Sequence, residues 1–488
     1  MPFRNRFNYK IFQYILGLTI IFLGFCFAIP LIIAIINNES TIFAFSFSIA
    51  FSLVLGSLLM YFNKDYPPIL TKKDGRMIVG LVWFVSPFIA ALPYLLSQTY
   101  FKTPINALFE SFSGLTTTGS TILDNLEIVP KSILMWRALT QWIGGFGLTL
   151  IVIMLVKNYK NGSNYLFNAE FTSIGKEKVR PHIKESVLKI VYIYVGLTII
   201  SIILLSLGEM DVFTAICHSL GAVSTGGFST SNINIGEYSA YSQYVITSIM
   251  LFSGISYVLL YWFFKGKGAK LFRDEQSKLY FGIIILGTSI LFAFMYFQHN
   301  YDAEKSFRIA ILHIVSVVST TGYYLPEAQE FGVFISTLLL VLMFIGGTSA
   351  SSSTGLKLIR IIILFKYANN SFKRMFHPRA IIPLRYNKIV LADEVNNLVF
   401  GFFFLYLIIF IFGAFVLTLF GNHFIPSIAM SAASISNIGP VIGYMSPETT
   451  YSALNIGSKT ILMILMMIGR LEIYSFIAMF SKTIWTKN

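Results

Sequence analysis

Four short turns made of small, hydroxyl-bearing and glycine residues recur along the chain. They are Thr116-Thr117-Thr118-Gly119-Ser120, Val223-Ser224-Thr225-Gly226-Gly227, Ser319-Thr320-Thr321-Gly322-Tyr323 and Ser436-Asn437-Ile438-Gly439-Pro440. When the turns are aligned on Gly119, Gly226, Gly322 and Gly439, these glycines lie 107, 96 and 117 residues apart. Regular spacing of this kind predicts an internally repeated fold.

Turns of this composition can line a narrow pore with backbone carbonyl oxygens. A cation such as potassium that enters the pore must exchange its hydration oxygens for protein oxygens, and rings of carbonyls supply them. Carbonyls aimed inward need left-handed or mirror-extended backbone, which costs residues with side chains roughly 1 to 2 kcal/mol but suits glycine. The predicted potassium-binding filter residues are Thr117, Thr118, Gly119, Ser120, Ser224, Thr225, Gly226, Gly227, Thr320, Thr321, Gly322, Tyr323, Asn437, Ile438, Gly439 and Pro440.

Each turn follows an apolar segment that is too short to span a bilayer. These segments are 105–115, 212–223, 307–318 and 425–435. We expect half-helices whose partly negative C-terminal ends face the cation. Irregular backbone at membrane depth is tolerated only where it is buried in protein or lines an aqueous cavity, so four such elements indicate a shared pore. Ordinary re-entrant packing turns and the broken helices of a secondary transporter remain open as alternatives.

The composition excludes a water-soluble domain. Of 488 residues, 55% are hydrophobic and only 12% are charged, whereas soluble domains carry roughly 25% charged residues. Apolar blocks long enough for a spanning helix, about 20 residues, occupy 11–36, 133–156, 187–207, 279–297 and 400–420. The sequence therefore predicts an all-α polytopic membrane protein with four pore repeats, ten spanning helices and four re-entrant segments.

Five regions follow from this pattern. We predict two N-terminal transmembrane helices within residues 1–70, near 11–36 and 41–62. The four pore repeats then occupy 71–175, 176–275, 276–388 and 389–488. The first apolar block has no convincing cleavage site and is too long for a signal peptide, so we interpret it as a retained helix.

Basic residues collect in alternate connections, which explains the formal charge of +14 without nucleic-acid binding. The clusters comprise Lys64, Lys72, Lys73 and Arg76; Lys176, Lys178, Arg180 and Lys184; Lys265, Lys267, Lys270 and Arg273; and Lys366, Lys373, Arg374, Arg379, Arg385 and Lys388. By the positive-inside rule these loops, and both termini, are expected to be cytoplasmic in the inner membrane of a bacterium.

Other chemistry has little support in the sequence. Cys26 and Cys217 both lie in apolar segments, so neither a disulfide framework nor a thiolate metal site is expected. We find no phosphate-binding glycine motif, histidine metal cluster or nucleophile arrangement. The sequence therefore predicts neither an enzyme nor a covalently bound cofactor.

The Thr-Thr-Gly, Ser-Thr-Gly-Gly, Thr-Thr-Gly and Asn-Ile-Gly-Pro turns resemble the four filters of the Trk/Ktr/HKT potassium transporter superfamily. The resemblance extends over nearly the whole chain and includes Gln141-Trp142-Ile143-Gly144-Gly145, Gly346-Gly347, Ser353-Thr354-Gly355-Leu356-Lys357 and Gly469-Arg470-Leu471-Glu472. The two extra N-terminal helices are similar to the TrkH branch. The resemblance implies potassium ions in the pore, a homodimer with one pore per protomer, surrounding membrane lipid, and a cytosolic nucleotide-binding ring, TrkA-like, on the cytoplasmic loops.

Arg470 is the first gate candidate, because a charge inside the apolar run 461–480 is expensive. The resemblance implies that it lies in the pore below the filter, where a guanidinium would oppose the passage of a cation. The alternative is a pair with a neighbour such as Glu472 at a helix interface.

The second gate candidate is the run of ten small residues from Gly346 to Gly355. Glycine and serine weaken helical preference, so an intramembrane loop is expected, with Gly346, Gly347, Ser353 and Gly355 as gate residues. The resemblance implies a movable gate, although relatives are usually richer in glycine at its end, which leaves the extent of movement open. A small-residue contact between packed helices is the alternative.

The remaining polar candidates are weaker. His218 and His313 are expected to pack or form hydrogen bonds near the turns, with proton relay as the alternative. Trp136, Arg137 and Trp142 are expected to be interfacial or packing residues. The leading expectation is channel-like potassium uptake gated from the cytoplasmic side; a sodium- or proton-coupled symporter and a non-conducting sensor are the rivals.

Overall fold

The chain begins with two helical spans that pack closely on each other. A computed structural model describes residues 8–64, 72–147, 183–440 and 451–480. Helices α1 (Tyr9–Cys26) and α2 (Ala28–Ile36) form one span of 28 residues, and α3 (Ile42–Phe62) returns beside it. A Cβ atom on Gly17 would lie 2.7 Å from the carbonyl oxygen of Gly56. Small residues thus allow close backbone contact, as is usual between membrane helices, and the two predicted N-terminal helices are confirmed.

Each of the following four repeats contains an outer helix, a half-helix, a turn and an inner helix. Repeat one contains α4 (Lys72–Ala90), α5 (Leu92–Leu95), α6 (Gln98–Phe101), α7 (Pro104–Leu115) and α8 (Lys131–Phe146). Repeat two contains α9 (Ile183–Ser206), α10 (Val212–Val223), α11 (Ala240–Ser253), α12 (Tyr257–Phe264) and α13 (Ala269–Arg273). Repeat three contains α14 (Glu275–Gln298), α15 (Ala303–Val318), α16 (Val333–Met343) and α17 (Leu358–Phe376). Repeat four contains α18 (Asp393–Leu419), α19 (Phe424–Ser436), α20 (Ile456–Leu471) and α21 (Ile473–Phe480).

The half-helices α7, α10, α15 and α19 close the repeats into a ring. Each one packs against the inner helix of the preceding repeat: α10 against α8, α15 against α11, α19 against α16, and α7 against α20. The last contact joins repeat four to repeat one. The half-helices thus surround one central axis, as the repeated sequence predicted.

The inner helices are less regular than the sequence indicated. Among the residues that the structure describes, six helices are long and apolar enough to span a membrane, or eight if two bent pairs each count as one span. The pairs α11–α12 and α20–α21 bend by 107° and 112°. The other two of the ten expected spans are the inner helices of repeats one and three. The part of the predicted apolar block 133–156 after residue 147 lies outside the described residues, and α16 ends at Met343 before the run of small residues.

A short β-hairpin lies in the connection between α17 and α18. Strand β1 (Arg385–Tyr386) pairs antiparallel with β2 (Ile389–Val390). The two turn residues, Asn387 and Lys388, have positive φ values of 45° and 69°, which is typical of a two-residue type I′ turn. Two short 3-10 helices, Pro326–Glu330 and Tyr451–Ala453, follow the third and fourth turns.

Apolar and polar side chains are arranged as in a membrane protein. Large apolar side chains are exposed on helices at the periphery of the protein, for example Phe43, Phe47 and Phe51 on α3. Many serine and threonine side chains are instead fully buried around the turns, among them Thr118 and Thr321. A lipid-facing apolar exterior around a polar interior confirms the predicted all-α polytopic membrane fold.

Candidate cation filter and gate

The four half-helices end in the same backbone motif. A left-handed residue follows each helix: Thr117 at φ 56°, Thr225 at 54°, Thr320 at 61° and Asn437 at 52°. The next residue donates its N–H to the carbonyl five residues earlier: Thr118 to Ser113 at 2.9 Å, Gly226 to Gly221 at 2.8 Å, Thr321 to Ser316 at 2.8 Å and Ile438 to Ala433 at 2.9 Å. This is the Schellman termination, which satisfies the last helical carbonyls and turns the chain sharply.

A glycine with positive φ lies two residues after each left-handed residue. The φ values are 84° at Gly119, 77° at Gly227, 85° at Gly322 and 91° at Gly439. The equivalent of Gly119 in the second turn is therefore Gly227, and the alignment on Gly226 is wrong by one residue. Gly226 takes the place of Thr118. The end of the half-helix, and not the first glycine after it, determines the register of the turn.

The same glycines bring the four turns into a closed ring. A Cβ atom on any one of them would overlap a carbonyl oxygen of the neighbouring turn: Gly119 with Gly226, Gly227 with Thr321, Gly322 with Ile438, and Gly439 with Thr118. Each overlapping carbonyl belongs to the residue that precedes the next turn's glycine. Glycine is therefore required at these positions both by its conformation and by the space available.

Three of the hydroxyl groups predicted for the filter form hydrogen bonds to a neighbouring turn. Asn437 Nδ2 donates to Thr118 Oγ1 at 2.9 Å and to the carbonyl of Met466 at 2.9 Å. Ser120 Oγ donates to the carbonyl of Gly439 at 3.2 Å. The Tyr323 hydroxyl donates to the carbonyl of Phe228 at 3.0 Å. The Tyr323 side chain thus braces the second turn from outside.

Arg470 approaches the turns from one side, which we call the inner side. Its Nη1 atom donates to Thr117 Oγ1 at 3.3 Å and to the carbonyl of Ser352 at 3.1 Å, and Nη2 donates to the carbonyl of Gly144. Glu472, two residues further on, contacts Arg360 at 2.6 Å and Lys357 at 3.7 Å. Arg470 therefore lies directly against the first turn and the small-residue loop.

The run Gly346 to Gly355 is a loop between α16 and α17, and it lies against the ends of the half-helices. Ser352 Oγ donates to the carbonyl of Val223 at 3.2 Å. Thr354 donates its N–H to Thr320 Oγ1 at 3.1 Å and its hydroxyl to the carbonyl of Ser436 at 2.5 Å. The loop thus contacts the second, third and fourth half-helix ends, while Arg470 contacts the first turn.

The loop conformation depends on its glycines. Gly346 and Gly355 have φ values of 70° and 80°, and Ala350 has 60°. A Cβ atom on Gly346 would overlap the carbonyl oxygen of Thr354, and one on Gly347 would lie 2.7 Å from the carbonyl oxygen of Gly254. Ser353 Oγ lies 2.6 Å from Ser351 Oγ. The run is therefore a folded loop inside the protein, whereas the alternative of two helices meeting at small residues does not describe it.

Comparison with known proteins places this architecture in a family. A family model described as "TrkH: Cation transport protein" matches residues 41–487. This chain belongs to the TrkH family. It is 32% identical over 482 residues to the "Trk system potassium uptake protein TrkH" of Escherichia coli K12, covering 98% of this chain and 99% of that protein. It is 30% identical over 460 residues to the "Trk system potassium uptake protein TrkG" of the same organism, covering 93% and 94% of the two chains.

A solved structure of the TrkH family has the same fold. The crystal structure of the potassium transporter TrkH from Vibrio parahaemolyticus aligns with a TM-score of 0.89 and 28% sequence identity, over 98% of this chain and all of that one. The TrkH family is a transport family, so the expectations of TrkH-like membership and of a non-enzymatic protein are both confirmed.

The tertiary structure of this TrkH family member reveals a filter contact from Gln141 that sequence reasoning missed. Gln141 Nε2 donates to the carbonyl of Gly226 at 2.7 Å, and its Oε1 accepts the N–H of Phe228 at 3.1 Å. The side chain therefore holds the second turn on both sides of Gly227. The sequence signal that could have found it is an amide side chain inside the apolar block 133–156, because such a group must find hydrogen-bond partners when it is buried.

A buried ion pair, Glu110 with Arg137, was also missed. Arg137 Nε lies 2.7 Å from Glu110 Oε1. The sequence analysis expected Arg137 and the neighbouring tryptophans to be interfacial or packing residues. Trp136 Nε1 donates to the carbonyl of Ala90 at 3.0 Å, and Trp142 Nε1 donates to Thr198 Oγ1 at 3.1 Å, so the tryptophans do pack. Arg137 instead bonds residues that follow the first and second turns.

The histidines form local hydrogen bonds next to the turns they support. His313 Nδ1 lies 2.8 Å from the carbonyl of Ile309, and its Nε2 accepts the N–H of Leu325 at 3.2 Å. His218 Nε2 lies 3.3 Å from the hydroxyls of Tyr238 and Thr230. These contacts agree with the packing interpretation of both residues.

A chain of hydrogen bonds connects the small-residue loop to the β-hairpin. Gln276 Oε1 accepts the N–H of Ser349 at 2.8 Å, and its Nε2 donates to the Tyr386 hydroxyl at 2.7 Å. That hydroxyl donates to Asp274 Oδ1 at 3.2 Å. Burial, together with the nearby Asp274 carboxylate, raises the pKa of Tyr386. The phenol therefore keeps its proton, and the link holds across ordinary pH.

Proposed function

We propose that this protein takes up potassium across the inner membrane of a bacterium by channel-like conduction through the four-turn filter. The observation that carries the proposal is the closed ring of turns at the ends of four half-helices, each with a left-handed residue and a positive-φ glycine. The partly negative helix ends attract a cation, and backbone carbonyls replace its hydration shell. The related E. coli proteins are named as potassium uptake proteins, which supports potassium as the cation.

Flux is limited on the inner side of the filter by Arg470 and the loop from Gly346 to Gly355. The guanidinium contacts both the first turn and the loop, so a positive charge lies beside the ion path. The loop lies across the ends of the other three half-helices. Conduction at full rate requires the loop and the arginine to move aside together, because Arg470 donates to the carbonyl of Ser352.

A cytosolic nucleotide-binding ring, TrkA-like, controls this gate from the cytoplasmic side, and two protomers form a homodimer. The relatives are named as parts of a Trk system, which supports further subunits. Basic loops and both termini face the cytoplasm by the positive-inside rule. The β-hairpin lies on that side, and its link through Gln276 to Ser349 offers a short route from a bound partner to the loop.

Ion flux in proteoliposomes tests conduction directly. Potassium, rubidium, sodium and lithium are compared under a fixed membrane potential, and the reversal potential is measured in mixed gradients. We expect a reversal potential that follows potassium alone at constant pH and without sodium. Flux no greater than in empty vesicles would overturn the proposal, whereas a requirement for sodium or for a proton gradient would indicate coupled symport.

A further inference from the structure

The ion pair between Glu110 and Arg137 is unusually well buried for two full charges. Glu110 lies on half-helix α7 and Arg137 on inner helix α8, and their side chains are 0% and 1% exposed. Burying charges is expensive unless both are paired and hydrogen-bonded. Here the Arg137 guanidinium also lies over the Phe228 ring, with its central carbon 4.1 Å from the ring centre. An ion pair that is buried at this cost is expected to have a specific role in the fold.

The pair holds the two chain segments that leave the first and second turns. Glu110 Oε2 accepts the N–H of Ile122 at 3.0 Å, and Glu110 Oε1 accepts the Thr121 hydroxyl at 2.9 Å. Arg137 Nη2 donates to Thr121 Oγ1 at 3.1 Å, and Nη1 donates to the carbonyl of Ser229 at 3.1 Å. Thr121 and Ser229 occupy equivalent positions, each two residues after the positive-φ glycine of its turn. The pair therefore bridges the outer ends of two adjacent turns.

Helix α8 extends this support along the second turn. Gln141 lies one helical turn after Arg137 and bonds Gly226 and Phe228. The junction between the second and third turns uses neutral groups instead. There, the Tyr323 hydroxyl bonds the carbonyl of Phe228 at 3.0 Å, and Asn234 Oδ1 accepts the N–H of Tyr324 at 3.3 Å. The junction of the first and second turns is thus supported by an ion pair, whereas these contacts between the second and third turns join neutral groups.

We propose that Glu110 and Arg137 are positioning residues that set the spacing of the first and second turns and thereby the preference for potassium over sodium. This inference rests on the proposed function of the filter. The two charges cancel, so the pair acts through the geometry it imposes on Thr121 and Ser229. A filter held at a fixed width favours the ion whose hydration it replaces best, and a loosened one admits smaller cations more readily.

Geometry and electrostatic attraction predict different outcomes when the charges are changed. If the pair acts through geometry, E110Q and R137Q both raise the sodium-to-potassium permeability ratio. If the carboxylate acted by attracting cations, E110Q would lower and R137Q would raise the conductance, with the ratio unchanged. The R137K variant distinguishes the geometric from the electrostatic explanation further. Lysine keeps the charge but cannot reach Glu110, Thr121 and Ser229 with one planar group.

The experiment measures the permeability ratio from reversal potentials of the full-length protein in proteoliposomes. We expect the ratio to rise about tenfold in E110Q, R137Q and R137K, as fits the loss of one charge-assisted hydrogen bond. T121V, which removes the shared hydroxyl without a charge change, should raise it less. The matched controls are K305Q and E327Q, since Lys305 and Glu327 form a partly exposed pair with a 3.1 Å contact. They should keep the wild-type ratio.

The ratio is independent of how much protein folds, so lower yield does not imitate the effect. R137K and T121V keep the inference testable if E110Q or R137Q fails to fold. Wild-type ratios in R137K and T121V would overturn it, and so would opposite conductance changes in E110Q and R137Q at constant ratio. A wild-type protein that conducts sodium and potassium equally would overturn this inference and leave cation conduction standing. A wild-type protein without any flux would overturn the proposed function and, with it, this inference.

Discussion

The outer and inner ends of the filter are held in different ways. At the outer end, the first two turns are bridged by a buried ion pair, and the ring itself is closed by glycines in contact with neighbouring backbone. At the inner end, the loop from Gly346 to Gly355 meets the half-helices through single side-chain hydrogen bonds beside a cleft. Backbone contacts cannot be broken without moving the helices, whereas single hydrogen bonds each contribute only about 1 kcal/mol. The contacts that close the ring of turns are therefore harder to break than those that hold the small-residue loop.

The two arginines of the pore illustrate the difference. Arg137 is neutralised by a carboxylate and bonds groups behind the filter. Arg470 is partly exposed; it donates to the carbonyls of Ser352 and Gly144 and to the hydroxyl of Thr117, and its guanidinium carbon lies 5.5 Å from the centre of the Trp83 ring. Under the two proposals above, the charge of Arg137 serves the geometry of the filter, and that of Arg470 acts on the permeating ion.

The largest effect is expected from breaking the ring at Gly227. G227A should lower potassium flux by about a hundredfold, because left-handed alanine costs roughly 1 to 2 kcal/mol and its Cβ would overlap the carbonyl of Thr321. G226A is the matched control. Gly226 does not have a positive φ, and the atoms nearest to its Cβ would belong to the Gln141 side chain and not to backbone, so a smaller loss is expected. Flux assays in proteoliposomes compare the two, and equal losses would contradict the register in which Gly227 corresponds to Gly119.

At the inner end, removing the charge of Arg470 should have the opposite effect. R470A should raise potassium flux roughly tenfold, because about 1.4 kcal/mol of repulsion at the barrier already changes a rate by that factor. R470K should lie between R470A and wild type. R273A, which removes an exposed arginine of the connection before α14, is the control and should leave flux unchanged. Unchanged or lower flux in a folded R470A protein would contradict the gating role.

Weakening the loop should open the pore more modestly. T354V removes the hydroxyl bond to Ser436 and should raise the open probability about threefold, as fits one lost hydrogen bond. The matched control is T337V, because the Thr337 hydroxyl bonds only its own helix at Val333, at 2.8 Å. Single-channel recording measures both variants. If the open probability were the same in T354V and T337V, the loop contacts would not restrain the gate.

The smallest effect is expected at the link between the hairpin and the loop. Q276L breaks the bonds to Ser349 and Tyr386, and should reduce the change in flux caused by the purified nucleotide-binding partner about twofold. Q298L alters an exposed glutamine at the other end of the same helix and serves as control. The measured quantity is the ratio of flux with and without the partner. A wild-type ratio in Q276L would show that the signal takes another route.

Local patterns in the sequence were sufficient to predict the repeat and its parts. The predicted half-helix 212–223 has the same bounds as α10, and the third differs mainly in starting earlier, at Ala303. The run of ten small residues was recognisable as a loop because glycine and serine disfavour a helix wherever they occur in such number. These features depend on residues that are close together in the chain, so the amino-acid sequence alone determines them.

Only the tertiary structure decided which residues meet. The register of the second turn became visible when Gly227, and not Gly226, was found against the third turn. Glu110 and Arg137 are 27 residues apart, and Gln141 and Gly226 are 85 apart. Their contacts arise because half-helices and inner helices of different repeats pack around one axis. Each buried polar group therefore forms its hydrogen bonds with residues that are distant in the sequence. No local sequence pattern specifies these partners.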